Sequence, residues 1–179
     1  MPTAKETFNS SIKDAEELLG HFNAINVLPP PPNAEVLKRA GLIMACTAWE
    51  TYVEDRVQEA VQQRLGEGND SFQNRFLLRH LQTTLKQFHN PSAEKTCKLF
   101  SDFLGVDVSA GWQWNNYDSA RARLELDSLI KKRGEAVHRS KAANAGVPAA
   151  HLVRKEELEK AIRFLKSLVE ATEATTRAG

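Results

Sequence analysis

The amino-acid sequence predicts an all-α protein, an antiparallel bundle of four to five long helices. Apolar residues recur at three- and four-residue spacing over most of the chain, as they do on the buried face of a helix. Pro, Gly and Asn-Pro breakers divide this pattern into helix-length segments, and no segment shows the alternating pattern of a strand. Because several of the connections are short, neighbouring helices are expected to run antiparallel.

The length and composition favour one globular domain over residues 1–179. The formal net charge is only +1, so nucleic acid could bind only through a local basic patch. The negative mean hydropathy excludes a membrane protein. Cys46 and Cys97 have neither zinc-site nor disulfide-scaffold spacing, and the first residues form no apolar leader, so a cytoplasmic location is expected.

The first two predicted helices are separated by a proline-rich connection. The first spans residues 4–27, with an apolar stripe of Phe8, Ile12, Ala15, Leu19, Phe22 and Ile25. Residues 29–33 form the stiff connection, in which four prolines remove backbone donors and Asn33 offers an N-cap. The second helix spans residues 34–65 and ends at Gly66 and Gly68. Its apolar face comprises Leu42, Cys46, Trp49, Val53, Val57, Ala60 and Val61.

Helical periodicity continues in the second half of the chain. A third helix is predicted for residues 70–89 and is closed by Asn90-Pro91; its apolar residues are Phe72, Phe76, Leu77, Leu81, Leu85 and Phe88. Helices are also predicted for 92–104, 118–143 and 153–176. An irregular loop at 105–117 carries Trp112 and Trp114, which are interpreted as packing residues. A flexible loop is expected at 142–150.

One arginine lies where a charge is difficult to bury. At about 100° per residue, Arg133 shares a helical stripe with apolar residues, so it needs a carboxylate, a subunit contact or an anionic ligand. These apolar neighbours are Leu126, Leu129, Ile130 and Val137. His138 lies about 140° further round the helix. Arg133 and His138 therefore converge only if the helix is distorted, with Gly134 the plausible place, or if a second copy contributes.

Familiar catalytic and metal-binding motifs are missing. The sequence has no glycine-rich phosphate loop, no HExxH, no GxSxG and no EF-hand loop, so neither a metal nor a cofactor is expected.

Two stretches resemble the HEPN superfamily. Arg133, four intervening residues and His138, late in an all-helical chain, resemble the Arg-x4-6-His motif of these helical bundles, many of which are metal-independent RNA endonucleases in prokaryotic defence and toxin systems. The segment 45–53, with Trp49-Glu50, resembles the second-helix signature of the RiboL-PSP-HEPN and MAE groups. Gly134 departs from the pattern, since many members carry Asn, Asp or His there.

The resemblance implies a homodimer with the two motifs facing an RNA-binding cleft. His138 would be the acid–base residue, and Arg133 would stabilise the charge on the phosphorane. Glu50 is the candidate partner that fixes Arg133 or, alternatively, half of a structural ion pair. An antitoxin or a nucleotidyltransferase is a possible partner protein. The candidate residues for binding RNA phosphates, unless they simply form a solvated helix face, are Lys131, Lys132 and Arg139.

Three functions from different classes remain open. The first is an RNA endonuclease, the second is a catalytically silent HEPN-type dimer that binds RNA, a nucleotide or a protein, and the third is a helical scaffold with a core ion pair between Arg133 and Glu50. Arg75 and His80 have the same spacing as Arg133 and His138 and are interpreted as a surface pair. Isolated surface or loop positions are expected for His21, His89 and His151.

Overall fold

A computed structural model of the protein describes residues 3–27, 31, 34–66, 71–138 and 152–178; for His138 and Ala178 it describes the backbone alone. These ranges hold no β-strand, only an isolated bridge between Trp114 and Tyr117. The all-α prediction is therefore confirmed. The helices are α1 (Ala4–Ile25), α2 (Ala34–Leu65), α3 (Phe72–Lys86), α4 (Ala93–Leu104), a 3-10 helix (Val108–Gly111), α5 (Ser119–His138) and α6 (Lys155–Ala178).

Helix α2 is the centre of the bundle. It contacts every other α-helix, and α1 packs along much of its length. Two of its aromatic residues, Trp49 and Tyr52, are fully buried. Phe8 of α1 meets Tyr52 edge-on at a centroid distance of 5.8 Å, and Trp112 meets Trp49 edge-on at 6.4 Å. The core thus joins α1, α2 and the segment before α5 through large aromatic side chains.

Side-chain caps set several helix boundaries. Thr3 and Glu6 form a reciprocal capping box at the start of α1. Ser71 accepts a hydrogen bond from the Asn74 amide, so α3 begins at residue 72 and not at the predicted 70. Gly105 ends α4 with φ of 67°, a left-handed conformation that glycine adopts without strain. The bounds of α2 agree with the predicted 34–65.

Some predicted boundaries fall elsewhere or lie outside the described residues. Helix α3 ends at Lys86, before the predicted residue 89. Most of the proline-rich connection, the predicted residues of α5 beyond 138 and the whole loop at 142–150 lie outside the described part of the chain.

Several residues of the predicted apolar stripes are exposed. Phe72 and Phe76 are 73% and 64% exposed, and Val137 is 46% exposed. Helix α3 contacts chiefly α2, and no other described helix covers Phe72 and Phe76. The apolar spacing of α3 therefore does not correspond to burial in its first two turns.

The irregular loop is ordered by its tryptophans. Trp112 is fully buried and donates a hydrogen bond from its ring nitrogen to Thr172 Oγ1 at 3.0 Å, which anchors the loop to α6. The packing role predicted for Trp112 is confirmed, whereas Trp114 is only partly buried. Among the described helices, none has the length and apolar character needed to cross a membrane.

Candidate active site

Arg133 reaches from α5 toward two other parts of the bundle. Its Nη1 donates a hydrogen bond to Asn90 Oδ1 at 2.6 Å, and its Nη2 lies 3.9 Å from Glu50 Oε2. Asn90 belongs to the connection between α3 and α4, and Glu50 belongs to α2. The guanidinium therefore links three segments at one end of α5.

The environment of Arg133 differs from the sequence expectation. We expected a guanidinium facing the core, but a quarter of the side chain is exposed. The next turn of α5 carries the exposed Val137 beside the buried Ala136, so this part of the helix lies at the edge of the core. The inner side of the Arg133 guanidinium is shielded from solvent, since its Nε is buried and has no hydrogen-bond partner within the described ranges. The arginine thus lies at the margin of the core, in contact with solvent.

Glu50 is the carboxylate that the structure brings to Arg133. Its side chain is 18% exposed, and its second oxygen, Oε1, lies 3.7 Å from His89 Nδ1. Glu50 occupies α2 between the buried Trp49 and Tyr52, so the packing of α2 fixes the position from which it points. The Arg133–Glu50 proximity is weak as an ion pair at this distance, and Asn90 supplies the shorter contact.

Two residues of this cluster, His89 and Asn90, had been given no functional role from the sequence. The His89 side chain is 72% exposed, as expected for a loop residue, but it is not isolated. Asn90 has φ of 54°, a left-handed conformation that asparagine tolerates better than most residues. The His89 carbonyl accepts a hydrogen bond from Lys95 Nζ at 2.7 Å, which helps to hold this connection. The Asn90-Pro91 helix breaker was the only available signal.

Burial and charge alter the acidity of nearby groups. Burial, with the neighbouring carboxylates of Glu50 and Asp55, raises the pKa of Glu54 to about 7, against the opposing effect of His89. Burial raises the pKa of the Cys46 thiol to about 12, so it stays protonated at neutral pH. Cys46 is therefore not a nucleophile here, whereas Glu54 changes its charge near neutral pH.

The other predicted site residues are placed unevenly. Lys131 is exposed, but Lys132 forms an ion pair with Glu157 of α6, so its ammonium already has an anionic partner. The side chain of His138 and the whole of Arg139 lie outside the described part of the chain.

Helix α5 continues through Gly134 to His138, so the helix is not interrupted at the glycine where the sequence allowed a distortion. A bend that would bring His138 toward Arg133 thus finds no support in the course of this helix.

No group of three or more potential ligands that could hold a metal ion occurs among the described residues.

Comparison with known proteins identifies the family. Searches of curated proteins and of solved structures found no match to this chain. A family model, described as RiboL-PSP-HEPN, matches residues 8–176, from the second turn of α1 almost to the end of α6. Because the match spans nearly all of the bundle, including Glu50 and Arg133, the chain belongs to the RiboL-PSP-HEPN family.

Proposed function

We propose that the protein is a metal-independent RNA endonuclease in which Arg133 and His138 are the catalytic residues. The observation that carries this proposal is the position of the Arg133 guanidinium, held by Asn90 and Glu50 while part of it contacts solvent. An arginine that served only to close a core ion pair would have no reason to remain exposed. Its position suits the binding of an anion that arrives from solvent.

The chemistry uses the RNA itself as the nucleophile. The ribose 2′-oxygen attacks the adjacent phosphorus, a new P–O2′ bond forms and the P–O5′ bond breaks. The products are a 2′,3′-cyclic phosphate and a 5′-hydroxyl end. One imidazole takes the proton of the 2′-hydroxyl, and a second group gives a proton to the departing 5′-oxygen. No oxidant, metal or cofactor enters this balance.

A homodimer supplies both proton-transfer groups in this proposal. His138 of one protomer acts as the base, and the partner's His138 acts as the acid, at an interface where the ends of the two α5 helices meet. This arrangement overcomes the separation of about 140° between Arg133 and His138 on one helix. Lys131 and Arg139 then bind flanking phosphates, and Lys132 joins them only by giving up its partner Glu157.

Arg133 stabilises the phosphorane, which carries more negative charge than the starting phosphate. A guanidinium fixed before the substrate arrives loses little conformational entropy during the reaction. Glu50 and Asn90 provide this fixation from two directions. His89 contacts only Glu50 in the cluster, so its role is to position Glu50 and, through it, Arg133.

The experiment that tests this function is the cleavage of a labelled single-stranded RNA in the presence of EDTA. His138→Ala should reduce the rate by about 10²–10⁴-fold, because a positioned acid–base group contributes an effect of that size. His80→Ala is the matched control, since it lies in α3 with the same spacing from an arginine. Cleavage that requires a divalent ion, or that survives loss of His138, contradicts the proposal.

The position of His89 sharpens this experiment. We expect His89→Ala to lower the rate less than His138→Ala, because His89 only positions another residue. If His89→Ala abolishes cleavage while His138→Ala does not, the acid–base role belongs to His89. Light scattering tests the dimer, and a strict monomer at micromolar concentration removes the composite site.

A catalytically silent dimer that binds RNA, a nucleotide or a protein is the second candidate. Gly134 favours it, because glycine offers no side chain beside the proposed catalytic arginine. Wild-type protein that binds RNA without cutting any would place this candidate first. Under either function we propose a cytoplasmic toxin or defence component, with an antitoxin or a nucleotidyltransferase as the partner to seek by co-purification.

A further inference from the structure

A second cluster lies at the opposite end of α5. Residues 114–117 form a tight turn in which Trp114 and Tyr117 exchange backbone hydrogen bonds of 3.0 and 2.7 Å. Their rings stack on each other, with centroids 5.0 Å apart and planes inclined by 26°. Both rings also contact the buried Phe164 of α6, at 5.7 and 5.3 Å. The turn therefore holds two aromatic rings in fixed positions, and both are only partly buried.

The surface beside these rings is polar and mostly basic. A shallow cavity of about 200 Å³ separates the aromatic turn from α6. Its lining adds to the two aromatic rings the amides of Asn115 and Asn116 and the cationic side chains of Lys160 and Arg163. Lys160 pairs with Glu125, but Arg163 is exposed and has no ion-pair partner in the part of the chain that the structure describes. Arg121 lies over the Tyr117 ring at 5.2 Å.

We propose that this cavity binds one nucleotide of single-stranded RNA, with the base against Trp114 and Tyr117 and a phosphate at Arg163. Each kind of group suits one feature of a nucleotide: the face of the base, the edge of the base, or the phosphate. Aromatic rings stack on the face of any base, amides can hydrogen-bond to its edge, and a free guanidinium binds phosphate. We call this site the stacking site. It rests on the proposed function, because that function supplies the RNA.

The stacking site lies at the other end of α5 from Arg133, so it would bind a nucleotide some distance from the cleaved bond. Ser119, the first residue of α5, and Arg133 are separated by about 21 Å along a helix with a rise of 1.5 Å per residue. A second cavity between α5 and α6 is lined by Lys160 and, further along α5, by Lys132. Lys160 borders both cavities, and the second cavity is also lined by Glu125 and Glu157, which pair with Lys160 and Lys132. An RNA strand of several nucleotides is needed to occupy both ends.

The test measures binding without cleavage. In a His138→Ala background, the affinity for a fluorescein-labelled, unstructured RNA is measured by anisotropy. Trp114→Ala should weaken binding by at least about fivefold, the lower end of the loss expected for one base–aromatic stack. Arg163→Ala should weaken binding and reduce the slope of log affinity against log salt concentration by about one, as expected for the loss of one phosphate contact. Phe76→Ala removes an exposed aromatic ring from α3 and should leave affinity unchanged.

A second readout does not depend on a disruptive substitution. Of the three tryptophans, Trp49 and Trp112 are fully buried, so quenching of tryptophan fluorescence by RNA should come from Trp114. Quenching should therefore disappear in Trp114→Phe, a variant that keeps an aromatic ring and most of the packing. Protein that keeps Trp114 should bind an RNA with abasic positions more weakly than it binds the intact RNA. Trp114→Ala should bind the two RNAs with about equal affinity.

The outcomes separate this site from the nuclease proposal. RNA cleavage with unchanged affinity in both Trp114→Ala and Arg163→Ala overturns the stacking site and leaves the nuclease intact. RNA binding that depends on Trp114 without any cleavage by the wild type supports the stacking site and contradicts the nuclease. An equal loss of affinity in Phe76→Ala, or no RNA binding at all, also overturns the stacking site.

Discussion

The shortest contact of the Arg133 guanidinium is with Asn90, whose Oδ1 lies 2.6 Å from Arg133 Nη1. This hydrogen bond joins the exposed end of α5 to the connection between α3 and α4. Asn90 can reach the guanidinium from its left-handed backbone conformation, which few residues adopt without strain. Asparagine therefore suits position 90 in two ways: it tolerates the left-handed backbone conformation, and its side-chain amide oxygen accepts the hydrogen bond from Arg133.

Two substitutions at this position separate the contributions of backbone and side chain. Asn90→Gly keeps the backbone conformation accessible and removes only the hydrogen bond, so it should cost about 1 kcal/mol of unfolding free energy. Asn90→Ala should cost about 1 kcal/mol more, because alanine is strained at positive φ. Urea unfolding measures both. Equal stability of the two variants would show that the positive φ at residue 90 causes no strain for alanine.

Arg133→Ala should destabilise the protein more than His138→Ala. Loss of the arginine leaves Glu50 without its cation beside a carboxyl group at Glu54, at a cost of about 1–3 kcal/mol. The cost stays below that of a sealed ion pair because the arginine is a quarter exposed. A double-mutant cycle with Glu50→Ala should give a coupling energy of about 0.5 kcal/mol or more. A less stable His138→Ala variant would reverse this assignment.

The raised pKa of Glu54 predicts a pH dependence of stability. Between its unfolded value of 4.5 and its folded value of about 7, the folded protein binds more protons than the unfolded chain. Its contribution to stability is therefore fully present below pH 4.5 and is lost as pH rises through 7. Glu54→Gln should raise the melting temperature relative to wild type at pH 8 more than at pH 5. An equal effect at both pH values contradicts the shift.

Gly111 and Gly134 should respond oppositely to alanine. A Cβ atom at Gly111 would lie 1.8 Å from Thr175 Oγ1, and that hydroxyl donates to the Ala171 carbonyl. Gly111→Ala should therefore cost about 1–3 kcal/mol, partly recovered by Thr175→Ala. At Gly134, in the helix interior, nothing lies within 4 Å, so alanine should add about 0.5–1 kcal/mol. Thermal melts measure both, and a neutral Gly111→Ala would mean that Thr175 moves freely.

The sequence was a good guide to the helices because their apolar periods and breakers are local signals. The bounds of α2 were predicted correctly, and Trp112 was assigned to packing. The periodicity could not show that Phe72 and Phe76 are exposed in the described part of the bundle, because it records apolar residues and not their neighbours. Coverage depends on how the helices are arranged in space.

The same limit applies to the site. Arg133 could be singled out because it interrupts an apolar stripe, and Glu50 because the Trp49-Glu50 pair resembles a family signature. His89 and Asn90 follow the end of α3 in an ordinary-looking loop, and only the packing of α4 and α5 brings that loop to the arginine. Contacts between segments far apart in the chain leave no periodic trace in a single sequence.

Glu50 and Arg133 belong to helices with different local stabilities. Glu50 lies between two fully buried aromatic residues on the central helix, where amide hydrogens should exchange only when the whole molecule unfolds. Arg133 lies near the last described residue of α5, where Val137 is exposed, so this part of the helix should open locally more readily than α2. The site therefore combines a residue of the most stable helix, Glu50, with a residue of a helix segment that opens more readily, Arg133. A second protomer or an RNA strand that docks there should slow exchange in the last two turns of α5 and leave the rates in α2 unchanged.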